Sequence, residues 1–454
     1  MSDWTTSKLS DVIEIIGGGT PKRSENKYWN GDIPWLSVAD FNNDFRYVND
    51  SIEHITELGL QKSSTKLLDK DHLIISARGT VGCLAQLSVP MAFNQSCYGL
   101  NGKEGILDNG FLYYFLKNNI SELKQKTHGA VFDTITRDTF EHIQISYPDL
   151  GTQKEIAKNL GNFDDKIQLN TQINQTLEQI AQALFKSWFV DFDPVRAKVQ
   201  ALSDGLSLEQ AELAAMQAIS GKTAEELTAL SQTQPDRYAE LAETAKAFPC
   251  EMVEVDGVEV PKGWELSTIG EEVETVGGTT PSTKEESFWN NGKIAWTTPK
   301  DLSSATSPVL INTERKITEL GLKKISSGLL PIGTVLLSSR APVGYLSLAQ
   351  IPVAINQGYI AIKCNKSLNN YYMLQWCKEN LEEIKGRASG TTFLEISKTT
   401  FRQIPIIVPD GNILSLFEKQ CSSIYQSITV NTKENINLEK TRDLLLPRLL
   451  NGEM

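Results

Sequence analysis

The amino-acid sequence predicts an α+β fold: two similar mixed α/β domains, separated by two long antiparallel coiled-coil helices and related by a pseudo-two-fold internal repeat. Three observations lead to this prediction. The first half of the chain recurs in the second, each half carries short β-rich runs between turn residues, and each half ends in a long heptad pattern. A chain of 454 residues also exceeds what one hydrophobic core usually serves.

The repeat relates residues 1–190 to residues 262–450. GGTP at 18–21 matches GTTP at 278–281, and ITELGL at 55–60 recurs unchanged at 317–322. The pattern SxRxxVG occurs at 76–82 and again at 338–344, so the offset stays between about 260 and 262. A period this long indicates two whole domains. Two similar but unequal domains suit a partner that is itself approximately two-fold, and duplex DNA is the leading candidate.

The mixed domains are predicted at 1–150 and 261–410. Strand-like runs at 73–76 and 334–337 and helical runs at 111–117 and 371–378 occur at matching places. Each domain is expected to end in a hydrophobic strand closed by proline, at 143–148 and at 404–409.

The long helices are predicted at 151–195 and 411–454. Both begin with a Ser/Thr-x-x-Glu sequence of capping-box form, at 152–155 and 415–418, and Pro194 and Pro447 are expected to end them. Each helix has a heptad seam of alternating four- and three-residue steps. The seam positions are Ile156, Leu160, Phe163, Ile167, Asn170, Asn174, Leu177, Ala181 and Leu184, and then Phe417, Cys421, Ile424, Ile428, Asn431, Asn435, Leu438, Arg442 and Leu445.

Asparagines occupy the middle of both seams, at Asn170, Asn174, Asn431 and Asn435. If the helices pair antiparallel, their centres cross, and the asparagines meet in a polar layer that fixes the register at some cost in stability. In the alternative, each helix packs on its own domain and the asparagines are solvated.

The segment 196–260 is acidic: residues 200–260 contain three Lys or Arg against twelve Asp or Glu, within a net charge of −12 for the chain. Its composition is equally compatible with short amphipathic helices and with a partly mobile linker. Neither repeat is strongly basic, so a basic partner or a local stripe of Lys and Arg must supply much of any phosphate affinity.

Several loop residues are candidates for DNA contact. Lys22, Arg23 and Lys27 follow the first glycine turn, and Ser282, Thr283 and Lys284 follow the second. Arg78 and Arg340 either contact guanine or phosphate, or form buried ion pairs with Asp40 and Asp301. The pairs Asn94-Gln95 and Asn356-Gln357 either read adenine or cap a strand turn.

The two halves are expected to read different sequences, so base contacts are sought where they differ, at 127–136 against 388–397. The tryptophan pairs Trp29/Trp35 and Trp289/Trp296 are assigned to the core.

The sequence contains no catalytic constellation: there is no GxSxG elbow, no HExxH and no complete P-loop, and four histidines without ligand spacing indicate no metal site. The six scattered cysteines are typical of reduced thiols, and no apolar run is long enough to cross a membrane. We therefore expect a non-catalytic cytoplasmic protein that holds no cofactor of its own.

The chain resembles the specificity subunit of Type I restriction–modification enzymes. The resemblance rests on GTP…YWNGDIPW at 19–35 and its twin, on LEQIAQALFKSWFVDFDP at 177–194 and on PKGW at 261–264. It implies that the mixed domains are target-recognition domains, and that the helices are spacers binding two methyltransferase subunits. These partners use S-adenosylmethionine to methylate adenine N6. It further implies restriction subunits, which join for ATP- and Mg-dependent translocation and cleavage.

On this basis each domain is expected to read one half of a split site in the major groove of double-stranded DNA, with a gap of roughly 5–8 base pairs set by the helices. Two alternatives remain. One is a specificity subunit of a fused restriction–methylation enzyme without motor partners, and the other is a coiled-coil scaffold for protein partners.

Overall fold

The fold is described from a computed structural model, which covers residues 4–43, 45–127, 134–303, 305–340, 342–390 and 394–453. The chain forms two compact units: unit 1 contains Met1–Leu169 and Glu434–Met454, and unit 2 contains Asn170–Lys433. The end of the chain therefore belongs to the same unit as its beginning.

The chain contains both helices and strands. The helices are α1 (Leu9–Val12), α2 (Glu57–Gln61), α3 (Asn109–Thr127), α4 (Arg137–Glu141), α5 (Leu150–Phe189), α6 (Asp193–Ser203), α7 (Leu208–Ser220), α8 (Ala224–Thr233), α9 (Pro235–Ala247), α10 (Ile269–Glu272), α11 (Pro299–Ser303), α12 (Glu319–Leu322), α13 (Asn370–Glu379), α14 (Leu381–Gly386), α15 (Lys398–Arg402) and α16 (Gly411–Leu450). No helix in these ranges is both long and apolar enough to span a membrane.

The strands of unit 1 are β1 (Thr5–Lys8), β2 (Ile13–Gly17), β3 (Trp29–Leu36), β4 (Tyr47–Val48), β5 (His54–Ile55), β6 (Leu67–Leu68), β7 (Leu73–Ser76), β8 (Leu84–Leu87), β9 (Met91–Phe93), β10 (Cys97–Gly102) and β11 (Gln144–Tyr147). They form a five-stranded sheet of order β2-β10-β7-β8-β4, a four-stranded sheet of order β5-β3-β9-β6 and the pair β1-β11. Helix α3 covers the larger sheet with a face that includes Phe111 and Leu112, both fully buried.

Unit 2 repeats this topology. Its strands are β12 (Met252–Val255), β13 (Val258–Pro261), β14 (Glu265–Thr268), β15 (Glu274–Val276), β16 (Ile294–Thr297), β17 (Val309–Leu310), β18 (Arg315–Ile317), β19 (Val335–Ser338), β20 (Leu346–Ala349), β21 (Ala354–Ile355), β22 (Tyr359–Lys363) and β23 (Pro405–Val408). The orders β15-β22-β19-β20-β17, β18-β16-β21 and β14-β23 match the sheets of unit 1 strand for strand, apart from β6. The predicted duplication and mixed α/β class are therefore confirmed.

The long helices begin one turn earlier than their capping-box sequences predicted. Helix α5 is capped by Asp149, whose carboxylate accepts hydrogen bonds from the backbone N–H groups of Gly151 and Thr152 at 2.9 and 3.1 Å. The carboxylate of Asp410 likewise accepts from Asn412 N at 2.8 Å before α16. The prediction of caps at Thr152 and Ser415 was wrong, because an Asp after each strand-closing proline reaches the first free amides of the helix.

Neither proline ends a long helix. Helix α5 ends at Phe189, and the chain turns through Phe192, whose φ of 57° is left-handed. Pro194 then stands in the first turn of α6, where a missing N–H costs nothing. Pro447 lies inside α16, which continues to Leu450 because Leu446 and Leu450 are buried in the core of unit 1.

In unit 1 the first half of α5 pairs antiparallel with the end of α16. Lys166 Nζ lies 3.4 Å from a carboxylate oxygen of Glu434, and Asn435 Nδ2 donates to the Ile167 carbonyl at 3.3 Å. Further along, the guanidinium of Arg442 contacts the buried carboxylate of Asp164. From the Asp164–Arg442 pair to the Lys166–Glu434 pair the partner number falls as the α5 number rises, which is the signature of antiparallel pairing.

In unit 2 the second half of α5 pairs antiparallel with the first half of α16. Asn431 Nδ2 donates to Asn174 Oδ1 at 3.0 Å, and the rings of Phe185 and Phe417 lie 6.1 Å apart. Asn170 and Asn174 are only 1% and 4% exposed, so the alternative with solvated asparagines on unpaired helices is wrong.

The acidic segment folds as helices α6 to α9, followed by the hairpin β12-β13. The helices enclose a small core of Ala215, Met216, Leu227 and Ala245. Lys198 of α6 is only 1% exposed, and its ammonium group donates to the Phe248 carbonyl at 2.7 Å. This hydrogen bond links α6 to the end of α9. Of the two alternatives for this segment, the helical one is observed.

Candidate nucleic-acid interface

The glycine turn at the start of each repeat is pressed against a strand end. Gly19 N donates to the Phe93 carbonyl at 3.0 Å, and a methyl group on Gly18 would lie 2.1 Å from the carbonyl oxygen of Asn94. A methyl group on Gly278 would meet the Ile355 carbonyl oxygen at 1.9 Å. Only glycine allows this approach, so the turns have a structural cause in both units.

Paired indoles hold the loop that follows each turn. In unit 1 the N–H groups of Trp35 and Trp29 donate to the carbonyls of Gly19 and Lys22, at 3.0 and 3.3 Å. In unit 2 the N–H of Trp289 donates to the Ser282 carbonyl at 2.9 Å. Trp35 and Trp296 are each 2% exposed, whereas their partners are half-buried. The tryptophans therefore join the core to the loop.

The Asn-Gln pairs divide into a structural and an exposed residue. Asn94 Oδ1 accepts from Ser96 N at 3.0 Å, and Asn356 Oδ1 accepts from Gly358 N at 2.9 Å, so both asparagines cap strand turns. Exposed Gln95 is hydrogen-bonded to Thr20, and exposed Gln357 is bonded to Thr280 at 2.7 Å. Each glutamine oxygen therefore already has a threonine partner, which leaves one lone pair and the amide NH₂ for a bidentate adenine contact.

A serine closes the loop that carries each candidate arginine. Ser338 Oγ donates to the Pro342 carbonyl at 2.8 Å and accepts from Tyr345 N at 2.7 Å. Ser76 makes the matching bonds, to the Thr80 carbonyl at 2.5 Å and from Cys83 N at 2.8 Å. The serine of the SxR motif thus braces the loop, and the arginine two residues later is presented outside it.

The alternative of buried Arg–Asp pairs is wrong. Asp40 accepts from the backbone N–H groups of Ser37 and Ile52, at 2.7 and 2.8 Å, and Asp301 bonds the equivalent amides in unit 2. These carboxylates are therefore committed to loop amides. Arg78 is exposed, and half-buried Arg340 lies 3.7 Å from a carboxylate oxygen of Glu395.

Backbone hydrogen bonds join the loops into one edge in each unit. Ala77 N donates to the Ser96 carbonyl at 2.8 Å, and Ile135 N donates to the Ala77 carbonyl at 3.0 Å. In unit 2, Ser339 N donates to the Gly358 carbonyl at 2.8 Å, and Ile396 N donates to the Ser339 carbonyl at 3.0 Å.

We call this surface the loop edge: residues 18–23, 77–83 and 94–96 in unit 1, and residues 278–284, 339–340, 342–344 and 356–358 in unit 2. Ile135 and Ile396 adjoin it, and they belong to the segments predicted to hold the base readers, 127–136 and 388–397. Of these, residues 128–133 and 391–393 lie outside the described residues.

The cations of the first glycine loop all have acidic neighbours. Lys22 and Lys27 each lie 3.7 Å from a carboxylate oxygen of Glu25, and Arg23 Nη2 donates to Glu53 Oε2 at 2.9 Å. The bonds from Arg23 lower the pKa of Glu53 below its usual range, so the carboxylate is charged at neutral pH. In unit 2, Ser282, Thr283 and Lys284 are all exposed.

Four further cations border the loop edges and were missed in the sequence. A methyl group on Gly82 would lie 2.8 Å from Lys124 Cε, and one on Gly344 would lie 3.3 Å from Lys385 Cε. Near the glycine turns, a methyl group on Gly17 would lie 3.9 Å from Arg137 Nη2. One on Gly277 would lie 3.2 Å from Lys398 Nζ. Both pairs recur at the repeat offset, and that recurrence is the signal that could have revealed them.

The chain was compared with known proteins. The family model of the Type I restriction modification DNA specificity domain matches residues 1–179 and 261–440. The chain is 46% identical over 356 residues to the Type I restriction enzyme HindI specificity subunit of Haemophilus influenzae, which covers 76% of this chain and 77% of that protein. It is 26% identical over 462 residues to the MjaIX specificity subunit of Methanocaldococcus jannaschii, covering 100% and 94% of the two chains.

Among solved structures, the Type I restriction-modification S subunit from M. genitalium aligns with 99% of this chain and 96% of its own length, with a TM-score of 0.52 at 15% identity. This likeness shows a shared fold.

Proposed function

Because the chain belongs to the family of Type I restriction–modification specificity subunits, we propose that each unit reads one half of a bipartite site in double-stranded DNA through its loop edge. The family recognises DNA, and catalysis in the complex is assigned to other subunits. The partners would be two methyltransferase subunits, which bind S-adenosylmethionine, and restriction subunits, which use ATP and Mg. The complex would work in the bacterial or archaeal cytoplasm.

The observation that carries the proposal is the repeated loop edge. The same frame of glycine turn, Asn turn and serine-braced loop occurs in both units, whereas the side chains around it differ. A constant frame with variable side chains suits two readers of different half-sites, since phosphate contacts set the register and base contacts set the sequence.

The helices would set the gap between the half-sites and bind the methyltransferase subunits. Antiparallel pairing within each unit gives both α5 and α16 a fixed register, which a spacer requires. Lengthening both seams by one heptad should change the gap while leaving both half-site sequences intact.

The test is base-resolved mapping of N6-methyladenine in cells that express this chain with its methyltransferase partner. We expect a split motif with one modified adenine per strand, lost when this chain is deleted. Arg78→Ala should relax or weaken one half-site and Arg340→Ala the other, whereas Arg237→Ala, on α9, should change neither. Methylation that is independent of this chain, although the partner is active, would refute the proposal.

A further inference from the structure

Both units contain the same aromatic platform beside the loop edge. Trp29 and Trp35 meet edge to face with ring centroids 5.2 Å apart and an interplanar angle of 86°. Trp289 and Trp296 do the same at 5.1 Å and 85°. In each case the outer indole holds the glycine loop by its N–H, so a group stacked on that ring lies next to the loop edge.

An arginine stacks on each platform, but the two arginines come from different places in the repeat. In unit 1, Arg23 from the glycine loop lies with Cζ 4.1 Å from the Trp29 ring centroid. In unit 2 the cation is Arg315 from β18, with Cζ 3.6 Å from the Trp289 centroid. The residue at the Arg23 position in unit 2 is Thr283.

Arg315 occupies the position that Glu53 holds in unit 1. The motif ITELGL is unchanged at 55–60 and 317–322, and Glu53 and Arg315 each lie two residues before its first isoleucine. Strand register agrees: Trp35 N donates to the Glu53 carbonyl at 2.9 Å, and Arg315 is the cross-strand neighbour of Trp296. One position of the duplicated frame is therefore negative in unit 1 and positive in unit 2.

The charge balance of the two platforms differs accordingly. In unit 1 the guanidinium of Arg23 is held by both oxygens of Glu53. In unit 2 no carboxylate of the described residues pairs with Arg315, and the neighbouring Glu314 lies 3.5 Å from the ammonium of Lys300. A guanidinium stacked flat on an indole keeps its N–H edges free to bind a phosphate with two parallel bonds.

We infer that Arg315 on Trp289 is a binding site for one backbone phosphate of the DNA duplex, and that Glu53 closes the equivalent site in unit 1. This inference rests on the proposed function and deepens it. The two units then contribute unequally to salt-dependent affinity: the half-site bound by unit 2 has one phosphate contact that the other half-site lacks.

The test is the salt dependence of binding, measured with the complex of this chain and its methyltransferase partner on a duplex carrying its mapped site. Each phosphate contact contributes about 0.9 to the slope of log affinity against log salt. We expect Arg315→Gln to lower the slope by about 0.9 and Arg315→Lys, which keeps the charge, to preserve it. Glu53→Gln should raise the slope by up to about 0.9 because it releases Arg23.

A control away from the platform keeps the comparison matched. Arg237→Gln makes the same charge change on α9 and should leave the slope unchanged. Thermal melting checks that each variant is folded.

The outcomes are distinct. A slope for Arg315→Gln equal to that for Arg237→Gln overturns the phosphate site. A slope that does not rise in Glu53→Gln overturns the closed site in unit 1. A wild-type complex that fails to bind its duplex overturns the proposed function itself.

Discussion

A buried carboxylate in unit 2 offers the sharpest stability test. Glu178 of α5 contacts the ammonium of Lys378 on α13 and accepts from the hydroxyl of Tyr425 on α16 at 2.8 Å. Gln375 Nε2 adds a bond to the same carboxylate at 3.2 Å. One charge therefore ties the domain helix α13 to both long helices, with side chains of Glu178 and Lys378 only 13% and 19% exposed.

The perturbation is Lys378→Met, which removes the cation and keeps the length of the side chain. Breaking a buried pair by removing one partner costs about 3–5 kcal/mol, because the remaining charge stays buried without compensation. We expect unit 2 to lose stability in this range at neutral pH. The double variant Lys378→Met with Glu178→Gln should recover part of it, since no charge is then left in the site.

The pH dependence follows from the pKa of Glu178. Burial raises this pKa, but the Lys378 ammonium and the hydrogen bonds from Lys378, Tyr425 and Gln375 outweigh burial and hold it below its usual range. In the wild type the carboxylate therefore adds stability above the unfolded pKa of about 4.3, and this is lost as the pH falls through the folded value. In Lys378→Met only the hydrogen bonds from Tyr425 and Gln375 still oppose burial, so the deficit should be largest at neutral pH and shrink as acid protonates Glu178.

The assay is urea unfolding at pH 7 and pH 5, followed by tryptophan fluorescence and by hydrogen exchange of α13. The control is Lys385→Met, which breaks an exposed pair with Glu382 at 2.9 Å and should cost less than about 1 kcal/mol. If Lys378→Met costs no more than this control, the buried charge does not hold α13 to the helices.

Three other changes test the frame. Asn174→Leu with Asn431→Leu replaces a buried polar pair by apolar packing and should raise the melting temperature while weakening the register; a lower melting temperature would contradict this. Gly278→Ala forces a methyl group against a carbonyl oxygen and should weaken DNA binding at one half-site, whereas Gly386→Ala, which meets nothing within 4 Å, should have no effect on binding. Ser338→Ala removes both loop-closing bonds and should destabilise unit 2 by about 1–3 kcal/mol, as chemical denaturation would show.

The fold was predictable because the duplication supplied a second copy of every signal. The run at 73–76 became β7 and the run at 111–117 lies within α3, since alternation and turn residues report burial directly. Helix ends were less predictable. Asp149 caps α5 from outside the capping-box sequence, and Pro447 stays inside α16 because the buried leucines around it outweigh one missing hydrogen bond.

The site was only partly predictable. Motifs located the loops, but whether a polar side chain serves the loop or faces solvent depends on contacts that are distant in sequence. Asn94 caps a local turn, whereas the adjacent Gln95 bonds to Thr20 at the start of the domain. Pairing Arg78 with Asp40 was reasonable by chemistry and wrong by geometry, because Asp40 was already bonded to loop amides.

The exchange of Glu53 for Arg315 bears on the acidity of the chain. Twelve acidic residues lie in 200–260, away from both loop edges in sequence, and one of them, Glu240, bonds Lys419 of α16 at 2.6 Å. The negative net charge of the chain therefore reflects the acidic segment 200–260 more than the charge of the loop edges. At the platform beside the loop edge, Arg23 and Glu53 of unit 1 are replaced by Thr283 and Arg315 in unit 2. The local charge therefore changes from zero to +1, while the paired indoles, the glycine turn and the strand register stay the same. A duplicated frame that tolerates such changes lets each unit be tuned to its own stretch of duplex without altering how the unit folds.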